Sequence, residues 1–489
     1  MIMGLVGVAL MYVGVAGIVS TTTPWWLGRG DAPRHIDYAY SLYKKDIPQF
    51  SDPLRYPVFN SLADGNYRDQ PAAVNPPLFY LLHAPLIGPF LESGNWKDAI
   101  AIGRAFNIFI GVICIIALAW GGWLFGGKRK PLIAIAVPAF GVMTHNFTSL
   151  NQNYAVDVLL ILLTTLSFIL AYKIILHGPT KKYILYLALL SFLGMSTKAT
   201  YVVFLLISFI AVVIATMTHG RESKKKNLFR GIIISGLIGA LVLFTVGWYY
   251  FFQNFVESGN WVSAAPDNYG STGRPYKSLN DVLTSSGLWG MLYERIAATK
   301  MVSILITAVA TMGVATIYDK YRLRKFRYNK SITITALLMF IATLGILFTQ
   351  IFHSVGYGGF YFRYFLPVLL PIALFFSYGL LELRWLRGQL VTITAILMAA
   401  TTIDITVKGS AFKQLIPGIS SVGSTEGMVK IAALNNGFNI YLVILLYAII
   451  LLGIFILGLS LFLLSSATLN PQSDNFVVSV KHFLKQLRA

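Results

Sequence analysis

Twelve apolar runs of membrane-spanning length divide the chain, near 2–20, 99–126, 131–149, 154–176, 183–197, 200–218, 228–252, 301–317, 331–352, 364–381, 390–407 and 439–467. A helix needs about 20 apolar residues to cross the hydrocarbon core of a bilayer. Charged residues make up 12% of the 489, about half of what a soluble domain carries, which excludes an ordinary water-soluble enzyme. The fold expected is an all-α polytopic membrane protein with about 12 transmembrane helices. Cys114 is the single cysteine and lies inside an apolar run, so an intrachain disulfide and a cysteine-based zinc site are both excluded.

The net charge of +20 would point to nucleic acid in a soluble protein. Here its placement points to the positive-inside rule. With the N-terminus inside, the cytoplasmic segments are Lys128–Lys130, Lys173–Lys182, Arg221–Arg230, Asp319–Lys330, Glu382–Arg387 and the tail. They hold 22 of the 39 Lys and Arg but 4 of the 19 acids, which leaves a nearly balanced 17 and 15 elsewhere. Pro76–Leu91 is also apolar but contains Pro76, Pro77, Pro85 and Pro89. That density of helix breakers suits a juxtamembrane or re-entrant segment. Counting it as a span would invert the charge bias, so both termini are expected inside. Residues 1–20 have the length of a signal peptide but lack a basic start and a clear cleavage site, and are read as an uncleaved first helix.

The outward loops are then 21–98, with juxtamembrane helices and eight of the 19 acids, 253–300, and the Gly/Ser-rich 408–438. One transmembrane domain covers 1–467, followed by a short basic tail at 468–489. No phosphate-binding G-x-x-x-x-G-K-[ST] loop occurs, and the glycines at 356, 358 and 359 follow no strand. Chemistry is therefore expected on the outer face.

Asp31 follows directly on the first apolar run, where partial desolvation raises a carboxylate's proton affinity and makes it a usable base. If this stretch is helical, His35 lies on the same face one turn on, and Asp37 about half a turn further. Asp31 also suits the start of a short interfacial helix, with Pro33 in its first turn; the two roles are compatible. For His35, packing or hydrogen bonding fits better than metal ligation. Arg104 stands in an apolar run, either as a functional group or snorkelling to the outer headgroups. The outer aromatics, among them Trp25, Trp26, Tyr38, Tyr40, Tyr67, Trp96, Trp261, Tyr269 and Tyr276, read individually as an interfacial belt, although Trp261–Tyr276 suits a lid or acceptor contact.

Four motifs in register resemble a known family. An acid just after the first helix is followed by Asn75-Pro76-Pro77-Leu78-Phe79-Tyr80 and by Arg104 early in the next span. Asn151-Gln152-Asn153-Tyr154-Ala155-Val156-Asp157 starts a span with a second acid. Gly194-Met195-Ser196-Thr197-Lys198 and Tyr361-Phe362-Arg363-Tyr364-Phe365-Leu366-Pro367 complete the set. Together they resemble the GT-C class of membrane glycosyltransferases, in the branch that contains protein O-mannosyltransferases, the lipid A aminoarabinose transferase and related bacterial enzymes. The resemblance covers about 1–200 and 355–385.

It implies a polyprenyl-phosphate-linked sugar donor, a glycan, lipid or protein acceptor, and a plasma-membrane enzyme working on the non-cytoplasmic face. Asp31 and Asp157 would be catalytic. Arg104, Lys198 and Arg363 would bind the donor phosphate, and His35, Asp37 and Tyr361 would position substrate. Where relatives often have a second adjacent acid, this chain has Ala32, so no metal is expected and a single-carboxylate base is the simpler scheme. Asn75 replaces the lysine that often precedes the Pro-Pro pair. The competing readings are an envelope polysaccharide polymerase or ligase, whose long outward loop comes late rather than first, and a lipid-sugar transporter or flippase, which calls for ionisable residues in mid-span.

Overall fold

The computed structural model describes residues 1–22, 31–61, 70–127, 130–150, 154–256, 278–294, 330–357, 362–382 and 440–469, with short pieces between 303 and 315. Every regular element among them is helical. Among the described residues eight helices are long and apolar enough to cross a membrane. Of the other expected spans, 183–197 forms a helix of 15 residues and 131–149 one of 14 followed by a break. The run 301–317 is described only in fragments, and 390–407 lies outside the described residues.

The helices are α1 (Ile2–Thr22), α2 (Asp31–Tyr43), α3 (Pro57–Ser61), α4 (Leu78–Glu92), α5 (Trp96–Phe125), α6 (Lys130–Met143), α7 (His145–Ser149), α8 (Asp157–His177), α9 (Lys181–Met195), α10 (Val202–His219) and α11 (Lys224–Tyr249). After them come the short helices Leu279–Thr284 and Ser286–Glu294, then Lys330–Tyr357, a 3₁₀ turn Phe362–Val368 leading into Leu369–Glu382, and Ile440–Leu469. The core joins α5 to α6 and α8, α8 to α9 and α10, and α10 to α11. Around it, large apolar side chains face outward, Phe244 at 87% exposure, with Leu237, Leu185, Phe455 and Leu451 similarly bare. An outer surface of this kind is satisfied by lipid, not water.

Among the described residues the most extensive helix pairing is between α1 and Ile440–Leu469. A Cβ on Gly7 would lie 2.8 Å from Gly453 O, and one on Gly453 would lie 2.8 Å from Gly7 O. Glycine on both sides lets the two backbones touch, the usual basis of tight packing where no hydrophobic driving force separates helix from lipid.

The first loop folds back on the bundle. α2 buries Ala32, Ile36, Tyr38 and Ala39 and packs on α4. α4 runs through Pro85 and Pro89, and its 15 residues reach about 22 Å at 1.5 Å per residue. That is short of a core about 30 Å thick, in keeping with a juxtamembrane segment.

Candidate functional site

Helix direction alternates through the bundle, so one end collects the start of α8, the turn after α9, the end of α11, Tyr357 and Phe362. The opposite end collects Lys173, Lys181, Lys182, Lys224–Lys226 and Lys330. Three of the family-like motifs thus meet at one end, together with α2 and the start of α4.

At the centre, Lys198 Nζ donates to Asp157 Oδ1 at 2.7 Å, with the side chains 18% and 6% exposed. Asp157 opens α8, where the helix dipole favours a negative charge. Lys198 has extended backbone, φ −161° and ψ 140°, immediately before the 3₁₀ turn Ala199–Tyr201. Its turn is fixed from several sides: Ser196 O accepts from Leu78 N at 3.1 Å, Met195 O accepts from the Tyr250 hydroxyl at 2.7 Å, and Gly194 faces the Tyr201 ring, whose atoms lie 2.4 Å from where a Cβ would be.

Tyr364 forms the next wall. Lys198 Nζ lies 5.2 Å and the Arg363 guanidinium carbon 5.1 Å from its ring centroid, and Arg363 also donates to the Tyr364 hydroxyl at 3.2 Å. Two cations on one ring face a region rich in π density, which stabilises them without neutralising either. His353 meets the same ring edge-on at 4.8 Å. Arg363 and His35 are both near enough to act electrostatically on Asp157.

His35 is held on the first-loop side, its Nδ1 2.7 Å from the Tyr80 hydroxyl. Tyr80 stacks on His35 and on Tyr38, with centroids 5.7 and 4.0 Å apart. Tyr38 is fully buried and shares a hydrogen bond of 2.8 Å with Tyr249. The belt reading fails for Tyr38 because its hydroxyl finds a protein partner inside the fold. Tyr249, at the end of α11, has both Asn75 O, at 2.9 Å, and Ala73 O within reach of its one hydroxyl proton. The chain after Tyr249 continues as a π turn over Tyr250–Phe255, so two successive tyrosines hold the first loop and the Lys198 turn respectively.

The remaining expected residues are placed as follows. The α2 helix starts at Asp31, so its backbone stands one turn before His35; its carboxylate is outside the described side chains. Arg104 is 8% exposed and donates from Nη1 to Ser20 O at 2.5 Å. It caps the last turn of α1 where the dipole favours a cation, and does not snorkel. Tyr361, Trp25, Trp26, Tyr67 and Trp261–Tyr276 lie outside the described residues.

Asp37 is 1% exposed and serves the first loop itself, accepting from Tyr56 N at 2.7 Å and Gln70 Nε2 at 2.9 Å. Burial pushes its carboxyl up to about 6, against the opposing pull of the hydrogen bonds from Tyr56, Arg55 and Gln70. A proton affinity raised on folding stabilises the fold below the unfolded value and loses that contribution as pH rises through about 6. Lowering the pH from 7.5 to 5 is therefore expected to raise the melting temperature of the wild-type protein relative to Asp37→Asn. Parallel pH profiles for the two proteins would remove Asp37 as the cause.

Reasoning from sequence missed Tyr249, Tyr250, Tyr364, Gln70 and the structural role of Tyr80. A Tyr-Tyr pair at the end of an apolar run is the one usable hint for the first two, and it is also what an interfacial belt looks like. No protein-family model matches the chain, and no curated protein matches it in sequence.

Proposed function

We propose that the chain is an integral-membrane glycosyltransferase that moves a sugar from a polyprenyl-phosphate donor to an acceptor hydroxyl on the non-cytoplasmic face. The observation that supports this reading is the convergence of Lys198, Arg363, Asp157 and His35, from four separate stretches of chain, at the end of the bundle opposite the lysine-rich segments. The donor's lipid tail lies along the apolar flank, and its phosphate sits against Arg363 and Lys198. An ammonium has three donors, and the Asp157 bond uses one, fixing the group while leaving others for phosphate oxygens. Arg104 contributes by pinning α1 to α5.

In this scheme Asp31, one helical turn before His35, takes the proton of the acceptor hydroxyl. The acceptor oxygen attacks the anomeric carbon opposite the phosphate, the carbon–oxygen bond to phosphate breaks, and configuration inverts. Polyprenyl phosphate leaves with its negative charge met by the two cations. Both chain termini are then cytoplasmic.

The test uses purified protein in nanodiscs with polyprenyl-phosphate sugars, following release of polyprenyl phosphate. Asp31→Asn is expected to lower turnover by about 10²–10⁴, the usual contribution of a general base, with donor binding retained. Arg363→Ala is expected to weaken donor binding. Unchanged turnover in Asp31→Asn removes the base assignment, and unchanged donor affinity in Arg363→Ala removes the phosphate site.

A further inference from the structure

A second polar group lies between α4, α5 and the residues that lead into α8. His83, Asn107 and Tyr154 are each fully buried there. The rings of His83 and Tyr154 are 4.5 Å apart. Tyr154 lies over Gly103, with its hydroxyl 3.0 Å from where a Cβ would be. Asn107 is one turn further along α5, and its amide stands beside the His83 ring. Phe106 and Phe79 wall the group, with centroids 4.9 Å from His83 and 5.7 Å from Tyr154.

Asn107 is near enough to act on the His83 ring, yet no bond of good hydrogen-bond distance and angle closes the group. His83 Nε2, both amide atoms of Asn107 and the Tyr154 hydroxyl have no protein partner. Buried polar atoms are seldom left so, because each orphan is destabilising and native interiors satisfy the great majority. Tyr154 also has φ +55°, a left-handed conformation costly for a non-glycine residue, and this backbone carries its ring into the group.

The donor pattern defines the guest. His83 Nδ1 is 2.8 Å from Phe79 O; a carbonyl only accepts, so Nδ1 carries the proton and Nε2 presents a lone pair. The Tyr154 hydroxyl can donate, and the Asn107 carbonyl accepts. We propose that this polar group binds one internal water, which donates to His83 Nε2 and Asn107 Oδ1 and accepts from the Tyr154 hydroxyl. Three partners are what a buried water typically has. An anion would meet the Nε2 lone pair and the electron-rich ring faces, and a cation would find too few oxygen ligands. Burial lowers the His83 imidazole to about 4, which keeps that lone pair available at neutral pH. The water thereby ties α4 and α5 to the entry of α8.

Magic-angle-spinning NMR of ¹⁵N-histidine protein in lipid nanodiscs tests the site. His83 is recognised as the ring that stays neutral at pH 5 and shifts in Tyr154→Phe. The expected result is an Nδ1-protonated ring whose Nε2 is hydrogen-bonded and receives magnetisation from water. Tyr154→Phe is expected to weaken that transfer and lower the melting temperature. A bare Nε2 with no transfer overturns the proposal, as does a hydrogen-bonded Nε2 without transfer, which would mean a direct bond from Asn107. A higher melting temperature in Tyr154→Phe also overturns it, because relief from an unsatisfied hydroxyl has the opposite sign.

Discussion

Lys198→Ala is expected to destabilise the protein by about 3–5 kcal/mol, the range for stripping one partner from a buried ion pair. The remaining carboxylate, Asp157, is 6% exposed and cannot reach water, and the α8 dipole offsets only about 0.3–2 kcal/mol. Asp157→Asn should cost less, because the lysine left behind has a long stem and 18% exposure from which its ammonium can swing to solvent. The double variant Lys198→Met, Asp157→Asn should recover much of the loss, since neither charge is then stranded. Thermal unfolding in nanodiscs of the wild type, both singles and the double gives the coupling directly. Additive losses would show that the two side chains do not act as a pair.

Gly453→Leu is the second large effect. The atoms nearest its missing side chain are Gly7 O and Met11 Cγ, both at 2.8 Å, and Met11 N at 2.9 Å; the methionine side chain can move aside, but the two backbone atoms cannot. Leucine must therefore push α1 away from its partner, at a cost at or above the roughly 1–3 kcal/mol of ordinary overpacking. Gly458, on the same helix, has nothing within 4 Å of a Cβ, so Gly458→Leu is the matched control and should melt like the wild type. Equal melting temperatures for the two variants would remove the close crossing as a source of stability.

Much of the scaffold is legible in the residues because spanning length and lysine placement are properties of single segments. The runs at 154–176 and 331–352 emerge as helices Asp157–His177 and Lys330–Tyr357, close to where hydropathy alone puts them. Runs containing a break are less legible: the run at 131–149 yields α6 of 14 residues, whereas α9 keeps the 15 of its run, starting two residues earlier. Pro85 and Pro89 do not break α4 as their intrinsic cost suggests, because packing on α2 and α5 holds it. The site was legible only where a charge stands out against apolar surroundings, as with Asp157, Lys198 and Arg363. Tyr38, Tyr249 and Tyr250 carry no such contrast, and their significance lies in partners 211, 174 and 55 residues away. Asp37 and Arg104 stood out equally, yet the structure engages one on Tyr56 and Gln70 and the other on Ser20. Charge contrast finds important residues without saying which partner each will take.

The π turn at Tyr250–Phe255 holds one residue more than an ordinary helical turn and begins at the second of the two tyrosine anchors. A π segment accommodates one extra residue within an otherwise continuous helix. Deleting a single position there, such as Phe252, would let the strand of hydrogen bonds close as ordinary α-helix, with Tyr249 and Tyr250 still seated on Asn75 and Met195. Because the residue lost is the one the π segment absorbs, the helix end up to Val256 would keep its facing, whereas a deletion within α11 would turn both tyrosines by roughly 100°, the angle one residue subtends at 3.6 per turn. The end of this helix can thus gain or lose one residue without unseating either tyrosine anchor.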